Sequence, residues 1–547
     1  MRIFFVFACL VGYLEVSAQV DAVVPFTSSN LPIVVINTDG QSIMDDPKIT
    51  ASMGIIDNGA ARNNVSDPFN NYNGKIGIEI RGSSSQMFPK KQYGIELRDD
   101  AGNGIASSLL SLPEEEDWIL FAPYNDKSLM RDALAYTLGR SLGGYAPRTK
   151  FCELVLNGTY QGIYVLIEKI KRDKNRVDIN KLDPDEIAGN NLTGGYIIKI
   201  DKTTGGTGEG WVSTHKPPNA FNQQIHFQYE YPDAEDIVAE QKAYIQKYVT
   251  DFENALASDN FTDAVSGYSK FIDVNSFVDY LIMQEVTKNV DGYRLSTFFH
   301  KQRDTDGGKL VMGPIWDFNL GFGNANYCTG GSPNGFVLDF NSMCAQDFWL
   351  IPFWWQRLLA DEAFSTKVAE RWVELRATKF KEEVIHGYID SVATVLNVES
   401  QQRNFKAWTV LNEYVWPNYF IGATFQQEVD WLKAWVSDRL VWLDQHMPFL
   451  ITATEEPADA EEYALAYPNP FSTSVNIDYK ILNNGPVTVK VFDALGRTVK
   501  SVELIHDSGG TYTYVWQSAN ADGIFYYSLQ QGSKNIGKGK LVRSNFH

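Results

Sequence analysis

Asn289-Val-Asp-Gly-Tyr-Arg-Leu-Ser-Thr-Phe-Phe-His300, followed by Gly313-Pro-Ile-Trp-Asp-Phe-Asn-Leu-Gly-Phe-Gly323, carries two carboxylates, Asp291 and Asp317, 26 residues apart. The apolar, aromatic run after Asp291 has the composition of a strand. Arg303-Asp-Thr-Asp-Gly-Gly-Lys309 supplies turn chemistry, and Leu310-Val-Met-Gly-Pro-Ile-Trp316 leads straight into Asp317. The pattern predicts a β-hairpin that brings both acids to one end of the ribbon. Hairpins with acids at their ends are common, so their chemistry depends on what the rest of the chain brings to them.

Upstream, the texture is that of strands. Leu31-Pro-Ile-Val-Val-Ile-Asn37 predicts an opening strand. Lys75-Ile-Gly-Ile-Glu-Ile-Arg81 and Gln92-Tyr-Gly-Ile-Glu-Leu-Arg98 alternate apolar with polar residues, as half-buried strands do. Gly82-Ser-Ser-Ser-Gln-Met-Phe-Pro-Lys-Lys91 joins them, and further strands are expected over 151–156, 161–167 and 195–201. Ser128 to Ser141 reads as a helix with Ser128 as its N-cap. From about residue 234 helical periodicity takes over, at 234–256, 273–287, 351–359, 364–396 and 425–446. No linker separates the two textures. The expected class is therefore α+β: a two-lobed enzyme domain over residues 30–450, with a strand-rich lobe to about 205, a helical lobe from about 206, and a cleft between them. An acidic, proline-containing linker is expected over 451–463. Residues 464–547 show short alternating segments that predict a small β-sandwich.

Composition narrows the function. Residues 1–18 have the charged start, apolar run and small-residue end of a signal peptide, and no later run of 18 apolar residues predicts a transmembrane segment. Net charge is −19 with no long basic run, which argues against nucleic acid as a partner but is compatible with a single nucleotide held by a local cation and a metal. Cys328 and Cys344 flank a Gly/Asn/Ser-rich loop, where a disulfide would add up to about 3 kcal/mol in an oxidising compartment. Cys152 lies in an apolar strand and reads as a buried thiol, and no Cys/His spacing resembles a zinc site.

Arg81-Gly-Ser-Ser-Ser85 with Pro89-Lys-Lys91, Ser128-Leu-Met-Arg131, Asn157-Gly-Thr-Tyr-Gln-Gly-Ile-Tyr-Val-Leu-Ile-Glu168, the Asp291 segment and Trp316-Asp317 follow one another in an order that resembles the spore coat protein H (CotH) family of secreted atypical kinases. The resemblance covers roughly residues 30–450 and implies an ATP-dependent protein kinase that uses Mg²⁺ or Mn²⁺. On that resemblance Asp291 is the catalytic aspartate and Asp317 the metal-binding one. Arg81, Gly82, Ser83 and Ser84 approach the phosphates. Lys91 neutralises phosphate charge, and Glu168 holds that lysine in an ion pair; Lys90, Lys169 and Arg81 are rival cations. Two positions depart from the family pattern. Ser296 stands five residues after Asp291, where kinases place an asparagine metal ligand, and Asn319 stands where relatives often have a second acid. Both are carried as candidate metal ligands beside Asp317. The departures leave open an alternative: a catalytically inactive, kinase-like surface protein that binds envelope polysaccharide or protein.

The tail has a resemblance of its own. Ala464-Leu-Ala-Tyr-Pro-Asn-Pro-Phe471, Val487-Thr-Val-Lys-Val-Phe-Asp-Ala-Leu-Gly-Arg497, Gly523-Ile-Phe-Tyr-Tyr-Ser528 and the basic ending Lys540-Leu-Val-Arg543 resemble a type IX secretion sorting domain of Bacteroidetes. That implies Sec export, passage across the outer membrane with the type IX machinery as partner, and a secreted or cell-surface location.

Overall fold

Strand alternation in the first third closes on itself. In the computed structural model, which describes residues 20–202, 209–447 and 463–543 (without 468–470, 472, 494–496, 519–522 and 533), seven strands form a barrel. They are β1 (Ile33–Asn37), β2 (Ile49–Ile56), β3 (Tyr72–Arg81), β4 (Gln92–Arg98), β5 (Asp117–Phe121), β6 (Thr149–Leu156) and β7 (Thr159–Glu168). Their spatial order is β1-β2-β3-β4-β5-β7-β6, and a parallel β1–β6 pairing closes the ring. The expected signal peptide, and the expected linker up to residue 462, lie outside the described residues.

Side-chain period explains how the barrel attaches to the rest. Trp118, Leu120, Tyr164 and Leu166 point into the barrel core, while Ile119, Phe121, Val165 and Ile167 from the same strands join the core shared with the helices. Strands β5 and β7 are thus buried on both faces, which is why they read as continuous apolar runs and β3 and β4 as alternating ones. Helix α1 (Arg131–Ser141) packs into that shared core. It starts three residues later than expected. Leu129 takes φ +65°, and Ser128 does not cap the helix. Instead the Asp126 carboxylate accepts hydrogen bonds from the Ser128 amide and hydroxyl and from the Arg131 amide and guanidinium.

The predicted hairpin is present as β11 (Thr297–Lys301) and β12 (Leu310–Met312), paired Phe299 to Met312. It belongs to a five-stranded antiparallel sheet with β8 (Tyr196–Ile200), β9 (Gly210–Val212) and β10 (His226–Tyr231), in the order β9-β10-β8-β11-β12. The lobe boundary expected near residue 205 falls inside this sheet, because β8 pairs on one side with β10 and on the other with β11.

The helices are α2 (Ala239–Ala257), α3 (Val274–Thr287), α4 (Trp354–Leu359), α5 (Glu362–Ala377), α6 (Glu382–Asn397), α7 (Ser400–Ala407), which packs on barrel strand β7, and α8 (Phe425–His446). The run expected as one helix over 364–396 is two, broken after Ala377. Cys328 and Cys344 form a disulfide, and Cys152 is a buried free thiol. Among the described residues no helix is long and apolar enough to cross a membrane.

The chain divides into two compact units at residues 451/452. The second is all β: a three-stranded sheet and a four-stranded sheet whose apolar faces share a core of Val475, Ile477, Val487, Val489, Leu529 and Leu541. The structure is therefore mixed α+β, with a strand-rich first part, a helical middle and carboxy-terminal β-sheets.

Candidate functional site

The two segments that flank the hairpin converge on one cavity of about 150 Å³, lined among others by Arg81, Gly82, Ser83, Ser84, Asp132, Asp201, Asp291, Ser296, Asp317 and Asn319. Local structure delivers each group. Strand β3 ends at Arg81, and Gly82 turns the chain at φ +106°; a Cβ there would meet Ser85 Oγ at 2.0 Å. The tight turn Ser84–Met87 follows and is held by Gln86 Nε2, which donates to Gly82 O at 2.7 Å.

Asp291 enters through the end of α3, where Lys288 takes φ +44° and redirects the chain. Its carboxylate accepts from Arg294 Nη2 at 2.8 Å. That buried guanidinium also donates to Asp347 and lies 4.0 Å above the Phe340 ring. Asn289 ties the two acids together: its Oδ1 accepts from the Asp291 amide at 3.2 Å, and its Nδ2 donates to the Asp317 carbonyl at 3.0 Å.

Asp317 sits at φ +61°, a conformation that is costly outside glycine and persists where neighbours over-determine it. The neighbours are on α1. The Asp317 amide donates to the Tyr136 hydroxyl at 3.1 Å, and the Phe318 amide donates to Asp132 Oδ1 at 2.7 Å. Tyr136 also stacks on Trp316 at 5.9 Å, and the Arg81 guanidinium lies 5.7 Å over that indole. Residues 132 and 136 are one helical turn apart, so a single face of α1 sets the backbone around Asp317.

The electrostatics follow from crowding. Burial, then Asp291 and Asp201, push the Asp317 carboxyl up to about 7, against the opposing pull of Arg81 and Lys202. Burial and then Asp317 raise Asp132 well above the usual carboxylate range. Burial also raises Asp201, although amides of Lys202 and Ser296 donate to it. Burial lowers Arg81, and Asp317 opposes that shift.

Of the residues expected from sequence, the cavity gathers Arg81, Gly82, Ser83, Ser84, Asp291, Ser296, Asp317 and Asn319. Lys91 and Glu168 do not line it, and the ion pair expected between them is not formed. Lys91 Nζ donates to Gln86 O at 2.6 Å, and Glu168 pairs with Arg148 at 2.7 Å. Lys90 is also committed elsewhere, to Ile163 O and Asn404 Oδ1. Glu168 closes β7, where Arg148, the residue before β6, pairs with its carboxylate through guanidinium and amide. Sequence reasoning missed Asp132, Tyr136, Asp201 and Lys202. The first two could have been found as an i, i+4 pair directly after the Ser128-Leu-Met-Arg131 motif, and Asp201 as the acid ending an expected strand.

Residues 78–443 match the family model described as CotH kinase protein, and residues 465–543 match the secretion system C-terminal sorting domain. No curated protein matches the chain. Solved structures give only faint likenesses. One is a putative β-galactosidase from Bacteroides fragilis, at 15% identity, 15% of each chain and a TM-score of 0.10. Another is the Pseudomonas fluorescens alkylpurine DNA glycosylase AlkC bound to DNA containing an abasic site analog, at 12% identity, 38% of this chain, 64% of that one and a TM-score of 0.12. The chain thus spans less than two thirds of either, and neither likeness carries an argument about fold. The matched models, in contrast, cover the cavity and the tail: the chain belongs to the CotH kinase family and ends in a type IX secretion sorting domain, which makes it a secreted or cell-surface protein.

Proposed function

We propose that this protein transfers the γ-phosphate of ATP to a protein hydroxyl at the cavity between the barrel and the hairpin. The observation that carries the reading is the convergence of Asp291 and Asp317, which precede and follow the hairpin and so lie at one end of its ribbon, on the turn after β3 with Arg81 beside it. Asp291, fixed by Arg294 and Asn289, orients the acceptor hydroxyl and takes its proton as the new O–P bond forms and the bond to the β-phosphate oxygen breaks, releasing ADP. Arg81 and Lys202 face the phosphate charge, and the Gly82–Ser84 turn offers hydroxyls and amides to it. Mg²⁺ or Mn²⁺ at Asp317 would supply the charge neutralisation that phosphoryl transfer requires. The donor types fit such an ion: hard carboxylate oxygens of Asp317 and of Asp132, Asp201 and Asp291 line one cavity, with Ser296 and Asn319 in it too. The volume of about 150 Å³ suits the phosphate end of a nucleotide better than a whole ligand site of roughly 300–1,000 Å³. The apolar wall of Phe88, Ile119, Phe121 and Ile167 is where the base would be accommodated.

A second reading, a retired kinase scaffold that binds envelope polysaccharide or protein, draws support from Ser296. Its amide is spent on Asp201, and its side chain lacks the carbonyl of an asparagine ligand. Calorimetry of the full chain with ATP, with and without Mg²⁺ or Mn²⁺, separates the two. Metal-dependent binding that disappears in Asp317→Asn supports the kinase, and absence of nucleotide binding at millimolar ATP and metal supports the scaffold.

A further inference from the structure

Two aspartates at the start of α1 are equally buried and differently satisfied. Asp126 is 1% exposed, and its carboxylate accepts from two amides, a hydroxyl and the Arg131 guanidinium. Asp132 is 3% exposed, and its Oδ1 accepts from the Phe318 amide. Its Oδ2 is buried and meets no described donor in good hydrogen-bond geometry; the Tyr136 hydroxyl, whose oxygen already accepts from the Asp317 amide, lies close enough to the carboxylate to pull against its raised pKa but does not satisfy this oxygen squarely. A buried carboxylate oxygen with so poorly placed a donor is costly, and a bound cation is one thing that would satisfy it. Asp132 lines the same cavity as Asp317, and the guanidinium closest in sequence, Arg131, is committed to Asp126.

We propose that Asp132 Oδ2 is a ligand of the divalent cation, and that Asp132 and Asp317 hold it jointly. The inference rests on the kinase reading of the cavity and deepens it. Mg²⁺ and Mn²⁺ are commonly bound by one or two carboxylates, with phosphate and water oxygens completing the shell. Asn319 cannot supply a second negative charge, whereas Asp132 supplies it from α1. A cation bridging these two acids also ties α1 to the Asp317 turn, adding to the hydrogen bonds already made by the Tyr136 hydroxyl and Asp132 Oδ1. The competing role is purely positional, with Asp132 serving only as acceptor for the Phe318 amide.

Asp132→Asn distinguishes the two roles, because it keeps an oxygen for that amide and removes the charge. Mn²⁺ binding to the full chain, read by electron paramagnetic resonance with and without ATP, should weaken by about 10-fold or more in this variant, a loss comparable with that of other ligand-sphere changes. If affinity stays within about twofold of wild type while Asp317→Asn loses it, Asp132 is positional; this inference fails and the kinase reading stands. If the wild-type protein binds no Mn²⁺ even with ATP, both fail. Should Asp132→Asn not fold by circular dichroism, Asp132→Glu keeps the charge but displaces the oxygen by a methylene. The line shape of bound Mn²⁺ should then change, and an unchanged spectrum overturns the assignment.

Discussion

Two acidic clusters in the first unit behave in opposite ways. Glu115, Glu116 and Asp117 bring their carboxylates within 4.8 Å of one another, and Lys171 Nζ fills the space at 3.2, 2.5 and 2.7 Å from them. Burial pushes Asp117 up, but Lys169 and Lys171 outweigh it and hold the group below its ordinary value. In the cleft, Asp132, Asp201, Asp291 and Asp317 are more loosely arranged, yet Arg81 and Lys202 do not outweigh burial and mutual repulsion at Asp317. On the proposed kinase reading, density of acids is therefore a poor guide to where a cation would bind. What matters is whether the chain supplies its own cation, and here the tighter cluster is the neutralised one.

The comparison breaks most visibly by removing one acid from each side. Asp317→Asn should reduce metal-dependent ATP binding and phosphate transfer by more than about 100-fold, the scale of losing one preorganised charge contact in a transition state. Glu116→Gln, in the cluster occupied by Lys171, should leave both unchanged. Equal losses in the two variants, measured by calorimetry and by transfer of labelled phosphate, would erase the distinction between the clusters.

Removing the internal cation tests the other half. Lys171→Met leaves three carboxylates together without their charge partner. Loss of one member of a buried ion pair costs several kcal/mol, and Lys171, whose side chain is 30% exposed, should show a reduced version of this, about 2 kcal/mol. The first unit's thermal transition should fall accordingly, while ATP affinity per folded molecule is retained. An unchanged transition would mean that the cluster is relaxed by solvent and not by Lys171.

How much of this was legible in sequence depended on the kind of contact involved. The hairpin, the barrel strands β3 and β4 and the helix Phe425–His446 follow from local periodicity and turn residues, and the structure shows them close to the expected bounds. The convergence of Asp291 and Asp317 was legible because one hairpin relates them. Asp132 and Asp201 carry local signals, but their arrival at this cavity was not legible, since each reaches it from an element whose place depends on long-range packing. The cation partners were least legible of all. A lysine ammonium on a flexible four-carbon stem chooses among acids and carbonyls within several ångströms, and that choice is settled by tertiary distances alone.

Titration sharpens the contrast. Asp317 has a folded-state value near 7, above its ordinary 3.8, so the folded protein binds more protons than the unfolded chain between about pH 4 and pH 7. Its contribution is therefore stabilising when protonated and is lost as pH rises through that window, levelling off above about 7. Without metal, the first unit's thermal transition should decline from pH 5 to pH 7.5. Added Mn²⁺ should raise it more at pH 7.5 than at pH 5, because the cation competes with protons for the carboxylates. Asp317→Asn should flatten both trends. A metal effect that does not depend on pH would place the ion away from Asp317.

The smallest expected effect concerns Glu168, whose side chain is fully buried in the ion pair with Arg148 and accepts from the Arg148 amide as well. If a lysine–glutamate clamp organised the phosphate site, Glu168→Gln would weaken ATP binding by 10-fold or more, by about 1.4 kcal/mol. With Lys91 donating to the Gln86 carbonyl and Glu168 committed to Arg148, neither end of such a clamp is present. Glu168→Gln should therefore leave ATP affinity within about twofold and lower stability by roughly 1–2 kcal/mol, since the amide keeps one hydrogen bond to the Arg148 backbone and loses the charge partner. A large loss of affinity with unchanged stability would show that Glu168 exchanges Arg148 for a cleft cation when nucleotide binds, and phosphate neutralisation would then have to be reassigned from Arg81 and Lys202 to that exchange.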